Sequence, residues 1–544
     1  MKRILPLLLL MTILCARCQK NDIQEFAPRA TQADGFVYLD EGHFVLGEEE
    51  WFPMMVNYKV DWRREGDSIW ISPAYYYENP EDWDAEGMWQ SIGNMQKHFS
   101  FIYNAMGANA IRICLDVVNS DEKGYFYGSS DQPIYLIQDS CAIFRAIDRM
   151  VEPMNGGLGM KVMILLKAPL DEELEEFTSA LLRHETKNAA IWAYDFMNEP
   201  LYFDPAEKRS KQEAYRIVAE WRRMMEQYAP HQLFTIGFAE PIEVFEWDPS
   251  ILPVDFVEVH TYHPLRVGSE MYWYGHYCKK PWMVGETALP ADNDSVSYEQ
   301  QVAFLKESFQ CAVDNGAIGY GWWEFQDCPQ GVNFEAQYTG LLNHDGNTWI
   351  RIREMLDSAD YQWGCTREEI ENDSYWCIMN HTGAKPIVSL FGSLKKFDRH
   401  KAQRPCNYHN MLGYTNIALK GKIVERGSGK PIEGAVVRGW NDNWSVGMNT
   451  FTNEEGEFTL FSNDYCVHFE ISAPGMSHTK FDRRNIQYSP KIDANRLKDK
   501  SREYQQIDYR EFLIDNSSTM TFHPEKFSQH VTSGDLGTLK LKKL

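Results

Sequence analysis

The chain has 544 residues, 44% hydrophobic and 24% charged, a globular composition that argues against a disordered or fibrous protein. Its formal net charge of −24 argues against a nucleic-acid binder, because phosphate contacts need a basic surface. Aromatic residues reach 14%, which either a large aromatic core or flat sugar-stacking platforms would account for.

Lys2 and Arg3 precede the apolar stretch Ile4 to Leu14, the pattern of a secretory signal peptide spanning about residues 1–18 and too short for a membrane span. The chain is therefore expected to be exported, to the extracellular space or the cell surface. Cys15 and Cys18 follow at once, although neither is preceded by the small residues usual for a lipoprotein signal. Lipidation of either would attach the protein to a membrane through several acyl chains. No later stretch is apolar enough to span a bilayer.

Phe36 to Leu39 and His43 to Leu46 flank Asp40-Glu41-Gly42, a β-hairpin pattern expected to plug the end of the domain that follows. Eight apolar runs then succeed one another: 51–60, 109–116, 160–167, 191–197, 233–238, 255–262, 282–286 and 319–325. Helical patterns separate them at 88–106, 139–150, 174–184, 211–227 and 298–315. Near-continuous apolar runs suit parallel strands covered by helices, and eight such units predict an α/β fold, a (β/α)8 TIM barrel. The Gly-rich phosphate loop of an open doubly wound sheet is missing. The barrel domain is expected over residues 30–360, hairpin included, ending in a helix near Thr348–Met355. Residues 361–412 form a connecting segment packed on the barrel. Strands at 417–424, 435–440, 457–461 and 468–472, with turns between, predict an all-β sandwich domain within 413–544 that ends in a polar tail. The nine later cysteines show no CxxC spacing, so no metal and no cofactor is expected; Cys114 reads as a buried free thiol, and Cys365, Cys377 and Cys406 could include a disulfide.

Catalytic groups of such barrels project from the C-terminal ends of strands. Those ends carry Arg112 on strand two, Asn198-Glu199-Pro200 on strand four, and His260-Thr261-Tyr262 on strand six. Glu286 ends strand seven, and Trp322-Trp323-Glu324 strand eight. Two carboxylates on different parts of one ring are what retaining glycoside hydrolysis requires, one as acid and one as nucleophile, about 5–5.5 Å apart.

The stretches "WAYDFMNEP", "VEVHTYHP" and "PWMVGETAL" resemble the strand-four, strand-six and strand-seven signatures of clan A glycoside hydrolases, most closely family 5, the cellulase and β-mannanase family. The resemblance covers about residues 33–355. It implies Glu199 as acid/base and Glu286 as nucleophile, with Arg112 and Tyr262 hydrogen-bonding the nucleophile. Asn198 would reach the sugar 2-hydroxyl, and His260 would join the network around the carboxylates. A strand-eight tryptophan would floor the subsite that holds the sugar being transferred: Trp323, by alternation, rather than Trp322. Where the family usually has a His near the end of strand three, this chain reads Leu165-Leu166-Lys167-Ala168, and Lys167 would take that space. Residues 416–475 resemble the carboxypeptidase regulatory-like β-sandwich, which implies a spacer or accessory domain.

The implied partner is a polysaccharide or oligosaccharide with β-linkages, such as β-mannan or β-glucan. The alternative is a catalytically inactive, glycan-binding surface lipoprotein on the same barrel. Trp62 and Tyr75-Tyr76-Tyr77, after strand one, would either line subsites or pin the loop.

Overall fold

The computed structural model describes residues 32–74, 85–115, 125–127, 133–262, 266–291, 297–327, 338–342, 385–394, 417–442, 447–462, 465–487, 492–493 and 530–544. The signal segment, Tyr75–Tyr77, the helix expected near Thr348–Met355, and Cys328, Cys365, Cys377 and Cys406 lie outside them.

Eight strands form a closed parallel barrel: β1 (Met54–Glu65), β2 (Ala110–Cys114), β3 (Lys161–Leu165), β4 (Ile191–Asn198), β5 (Leu233–Phe238), β6 (Val257–His260), β7 (Trp282–Glu286) and β8 (Tyr320–Trp322). Closure comes from β8 pairing with β1 in the register Tyr320↔Met54, Gly321↔Met55 and Trp322↔Val56. The predicted runs and the observed strands agree within a few residues, and β5 and β7 fall on the same residues. The outward side chains explain why the strands need cover: Val56, Ile111, Ile113, Val162, Ile164, Ile236, Val257, Val259 and Val284 are fully buried against the helical layer. Helices α1 (Ala85–Asn104), α2 (Ser140–Asn155), α3 (Glu172–His184), α4 (Pro200–Phe203), α5 (Lys211–Tyr228), α6 (Val267–Tyr277) and α7 (Tyr298–Asp314) alternate with the strands. Their starts are written in the sequence. Asp171 caps α3, and the pairs Ser210/Glu213 and Ser297/Gln300 form capping boxes on α5 and α7.

The N-terminal hairpin pairs Val37–Asp40 with His43–Leu46 through Glu41 and Gly42, both at positive φ. Its Phe44 stands edge-on to Trp192 and Phe256 at 5.0 Å, closing the N-terminal end of the barrel as expected.

One difference follows the first strand. β1 continues to Glu65 and returns antiparallel through Ser68–Pro73, so residues 61–73 are a hairpin rather than an open loop. Trp62 is 1% exposed and its indole N–H donates to the Leu115 carbonyl, so it pins this hairpin and lines no subsite. In the connecting segment, helix α8 (Ile387–Leu394) does pack on the barrel, burying Ile387 and Phe391, with Lys385 paired to Asp327 at 2.7 Å.

The C-terminal region contains two four-stranded sheets. One has the order β12 (Glu457–Ser462), β9 (Ile417–Glu425), β16 (His530–Leu541), β15 (Ile492–Asp493); the other has β11 (Gly447–Phe451), β10 (Val436–Trp440), β13 (His468–Ser472), β14 (Thr479–Asp482). Leu419, Ile423, Val437, Leu460, Phe469 and Ile471 fill the space between them. The last strand corrects the expected polar tail: it lies inside its sheet, parallel to β9. The polar, Gly- and Thr-rich sequence of the strand hides this, because few of its side chains, Leu536 and Leu541 among them, are buried. The sandwich is hydrogen-bonded to the barrel directly. Lys211 donates to the Ala473 carbonyl at 3.0 Å, Trp273 to the Gly434 carbonyl at 2.8 Å, and Gly475 N–H to Asp248 at 2.9 Å. No helix among the described residues is long and apolar enough to cross a membrane.

Candidate active site

Along the inside of the barrel the residues change character toward the C-terminal mouth. The lower layer is apolar, with Met55, Ala110, Met163, Ala193, Leu233 and Met283. Two residues further on, the inward positions of β1, β2, β4 and β6 are Asn57, Arg112, Asp195 and Glu258, all fully buried. Glycines make room for them. A Cβ on Gly285 would fall 2.1 Å from Glu258, and one on Gly237 would fall 2.6 Å from the His260 ring.

Arg112 organises this layer. Its guanidinium donates to Glu286 Oε1 at 2.5 Å, to Asp195 Oδ2 at 2.7 and 3.2 Å, and to Asn57 and Asn198 at 2.9 Å each. Glu258 lies 3.3 Å from its Nε. Burial alone would pull the guanidinium pKa down, but Glu258, Asp195 and Glu286 hold it well above its ordinary value. The cation is thus permanent.

Glu286, the last residue of β7, is 4% exposed and accepts from Arg112 on one oxygen and from the Tyr262 hydroxyl on the other. Burial, then the Glu286 charge, push the Tyr262 phenol well above its usual pKa, so it stays a donor. His260 is fully enclosed, with Nδ1 2.9 Å from Glu199 Oε1 and 3.6 Å from Glu286 Oε1. Burial works against a charged imidazole, but Glu286, Glu199 and Glu258 outweigh it and raise its pKa to about 10. The ring is therefore an imidazolium at neutral pH, donating to Glu199.

Glu199 stands at the turn from β4 into α4, in the left-handed region at φ 41°. A non-glycine residue there needs outside support. Its own N–H donates to the Gly237 carbonyl at 2.8 Å, and Pro200 opens α4 directly after it. Buried Glu243, in the 3-10 turn Pro241–Phe245 after β5, accepts from the Leu201 and Ala239 N–H groups at 3.0 and 3.3 Å. Burial pushes the Glu243 carboxyl up to about 8. One oxygen each of Glu199 and Glu286 and a nitrogen of His260 all lie within 4.8 Å of one another.

The structure thus brings Arg112, Asn198, Glu199, His260, Tyr262 and Glu286 together. It separates the two tryptophans. Trp323 is half-buried, with Lys59 Nζ 5.7 Å from its ring centroid and the same ammonium 3.0 Å from Glu324. Trp322 faces outward: it is fully buried, edge-on to Phe304, with its N–H on the Thr339 carbonyl. Trp322 is a packing residue, which corrects its place among the expected substrate contacts. Lys167 does not join the cluster either; it lines a small apolar recess with Trp62, Leu115, Leu166 and Leu174. Cys114 is a buried free thiol, as expected, pushed up to about 12 by burial.

Asn57, Lys59, Asp195, Glu243 and Glu258 escaped sequence reasoning. Asp195 and Glu258 are charges at inward positions of otherwise apolar strands, a signal that becomes readable only once the facing Arg112 is placed. Among the described residues two groups have donor atoms that could hold a metal: Glu199/His260/Glu286, where Arg112 already supplies a cation, and Asp148/His184/Glu185 on the outer helices. In the second, His184 Nε2 lies 3.0 Å from both Asp148 oxygens, the geometry of an ion pair.

No protein-family model and no curated protein matches the chain. Among solved structures, it is similar to an exo-β-1,4-mannosidase from Opitutaceae bacterium strain TAV5, at 14% identity and TM-score 0.42 over 73% of this chain and 65% of that one. It thus spans just under two thirds of that protein's length. β-Glucosidase 1317 gives 14% identity and TM-score 0.36 over 57% of this chain and 89% of that one. A family 1 β-glucosidase from Thermotoga maritima gives 10% and 0.34 over 47% and 82%. These neighbours are glycosidases; the barrel itself is established by its closed strand order.

Proposed function

We propose that the chain is a retaining β-glycosidase acting on a β-linked glycan such as β-mannan or β-glucan, with Glu199 as acid/base and Glu286 as nucleophile. The observation that carries this reading is that one oxygen of Glu199 and one of Glu286 lie within 4.8 Å of each other at the mouth of the barrel. That spacing suits direct attack on the anomeric carbon, whereas inversion needs room for a water and a separation of roughly 6.5–9.5 Å.

Each role follows from the contacts. His260 occupies Glu199 Oε1 and leaves the other oxygen to protonate the departing glycosidic oxygen. Attack by Glu286 forms the glycosyl ester as the leaving group takes the Glu199 proton. Glu199 then removes a proton from water, which attacks the anomeric carbon and releases Glu286. Arg112 and Tyr262 each hydrogen-bond one oxygen of Glu286 and keep it aimed until it attacks. The Asn198 carbonyl is taken by Arg112, so its NH2 is the group that would meet the sugar 2-hydroxyl. Trp323 would floor the subsite, and the N-terminal signal would export the enzyme to the cell surface or beyond.

The test is incubation with 2-deoxy-2-fluoro β-glucosyl and β-mannosyl fluorides followed by peptide mass mapping. A stable adduct on Glu286, absent from Glu286→Gln, is expected. Hydrolysis that proceeds with inversion, or an adduct elsewhere, would overturn the assignment.

A further inference from the structure

We propose that the C-terminal sandwich builds the leaving-group wall of the cleft: Asn449 fixes Glu240, and Glu240 fixes Tyr202 and Arg266 beside Glu199. This deepens the glycosidase reading and rests on it.

The acid/base carboxyl must face the sugar that departs, so residues next to Glu199 on the open side meet that sugar. Those residues are unusual. Tyr202 and Phe203, on α4 directly after Glu199-Pro200-Leu201, are 59% and 62% exposed, the two most exposed large hydrophobic side chains among the described residues. An exposed pair of rings at a cleft edge is poor packing and a good surface for a pyranose face.

Tyr202 is held by the loop after β5, which the sandwich supports in turn. Its hydroxyl donates to Glu240 Oε1 at 3.3 Å. The other Glu240 oxygen accepts from Arg266 at 2.6 Å and from the Asn449 amide of strand β11 at 2.8 Å. Burial would raise the Glu240 carboxyl, but Arg266, Asn449 and the nearby Arg438 of the sandwich hold it below its ordinary value. Glu240 is therefore a fixed anion, with two of its supports coming from the second domain. The line continues inward: Arg266 Nε lies 3.8 Å from Glu270, which accepts from Thr261 at 2.6 Å, between His260 and Tyr262 in sequence. Sandwich and β6 loop thus share one polar network along the side of the cleft that Glu199 faces.

Asn449 is a positioning residue, acting through Glu240. Its loss should weaken binding of a leaving-group sugar without touching the bond-making machinery. The experiment compares full-length wild type with Asn449→Ala and Tyr202→Phe on two probes, a β-glycosyl fluoride, whose leaving group has no ring, and the matching β-1,4-linked disaccharide. Both variants are expected to raise KM for the disaccharide about tenfold, as loss of a hydrogen bond to a charged group would. For Asn449→Ala the fluoride kinetics and the melting temperature should stay at wild-type values. Equal losses on both probes would make Asn449 merely structural, and no loss on either would remove the sandwich from the cleft; both overturn the proposal. Asn449→Asp, which sets a second carboxylate against Glu240, should raise the disaccharide KM at least as far. A wild type that cleaves neither the glucosyl nor the mannosyl form of either probe would instead refute the glycosidase reading.

Discussion

Arg112 and Asp195 face each other across the barrel interior, two guanidinium nitrogens on a single carboxylate oxygen at 2.7 and 3.2 Å. Because Asp195 pins one edge of the guanidinium, the other edge is presented to Glu286. Arg112 is also the cation that lets Asp195, Glu258 and Glu286 share one buried layer. Arg112→Ala should therefore cost about 3–5 kcal/mol, the usual penalty for leaving buried charge uncompensated. Arg112→Lys should recover part of the stability but little turnover, because a point charge cannot serve several fixed acceptors. Urea unfolding and turnover on an aryl β-glycoside check both; an unfolding free energy unchanged within about 1 kcal/mol would contradict the first.

The two neighbouring tryptophans should separate by phenotype. Trp322→Ala removes a fully buried indole and should cost about 3–5 kcal/mol, with little effect on kcat/KM per folded molecule. Trp323→Ala should leave thermal stability close to wild type and lower kcat/KM about tenfold, the value of one lost ring contact. The reverse pattern would exchange their roles.

Glu243 makes a pH prediction with a definite sign. Its folded pKa, about 8, lies above the ordinary 4.5, because burial penalises the ionised form. Its stabilising contribution is complete below pH 4.5 and is lost as the pH rises through about 8. Glu243→Gln keeps an oxygen for the Leu201 and Ala239 N–H groups but cannot ionise. Melting temperatures at pH 6 and 9 should fall less for the variant than for wild type. An equal fall would show that Glu243 does not titrate in this window.

Gly285→Ala tests the steric reading of the polar layer. Its Cβ would meet Glu258 at 2.1 Å, and both residues are buried. Overpacking of this kind costs about 1–3 kcal/mol. Because Gly285 adjoins Glu286, turnover should fall as well, and calorimetry with an activity assay reads both.

Much of this site is legible in the sequence because a barrel puts its chemistry at strand ends. Once the eight apolar runs are found, Arg112, Asn198, Glu199, His260, Tyr262 and Glu286 are among the few polar groups left at those ends. Asp195 and Glu258 are less visible: each sits inside an apolar run, where a charge reads as noise until the facing Arg112 is known. Trp322 and Trp323 show the value of alternation, which sends neighbours to opposite faces of a strand. Trp62 shows its limit, since an aromatic beyond a strand looks the same in a loop as in a hairpin that covers the core.

Local periodicity by itself determined the eight strands, five of the helices between them and the barrel, because burial of an apolar face is written residue by residue. Only the tertiary structure decided which charges share a buried layer, that residues 530–541 complete the sandwich, and that Asn449 reaches Glu240 from 209 positions away in the chain. Such pairings depend on directions and distances between elements, and no local pattern records them.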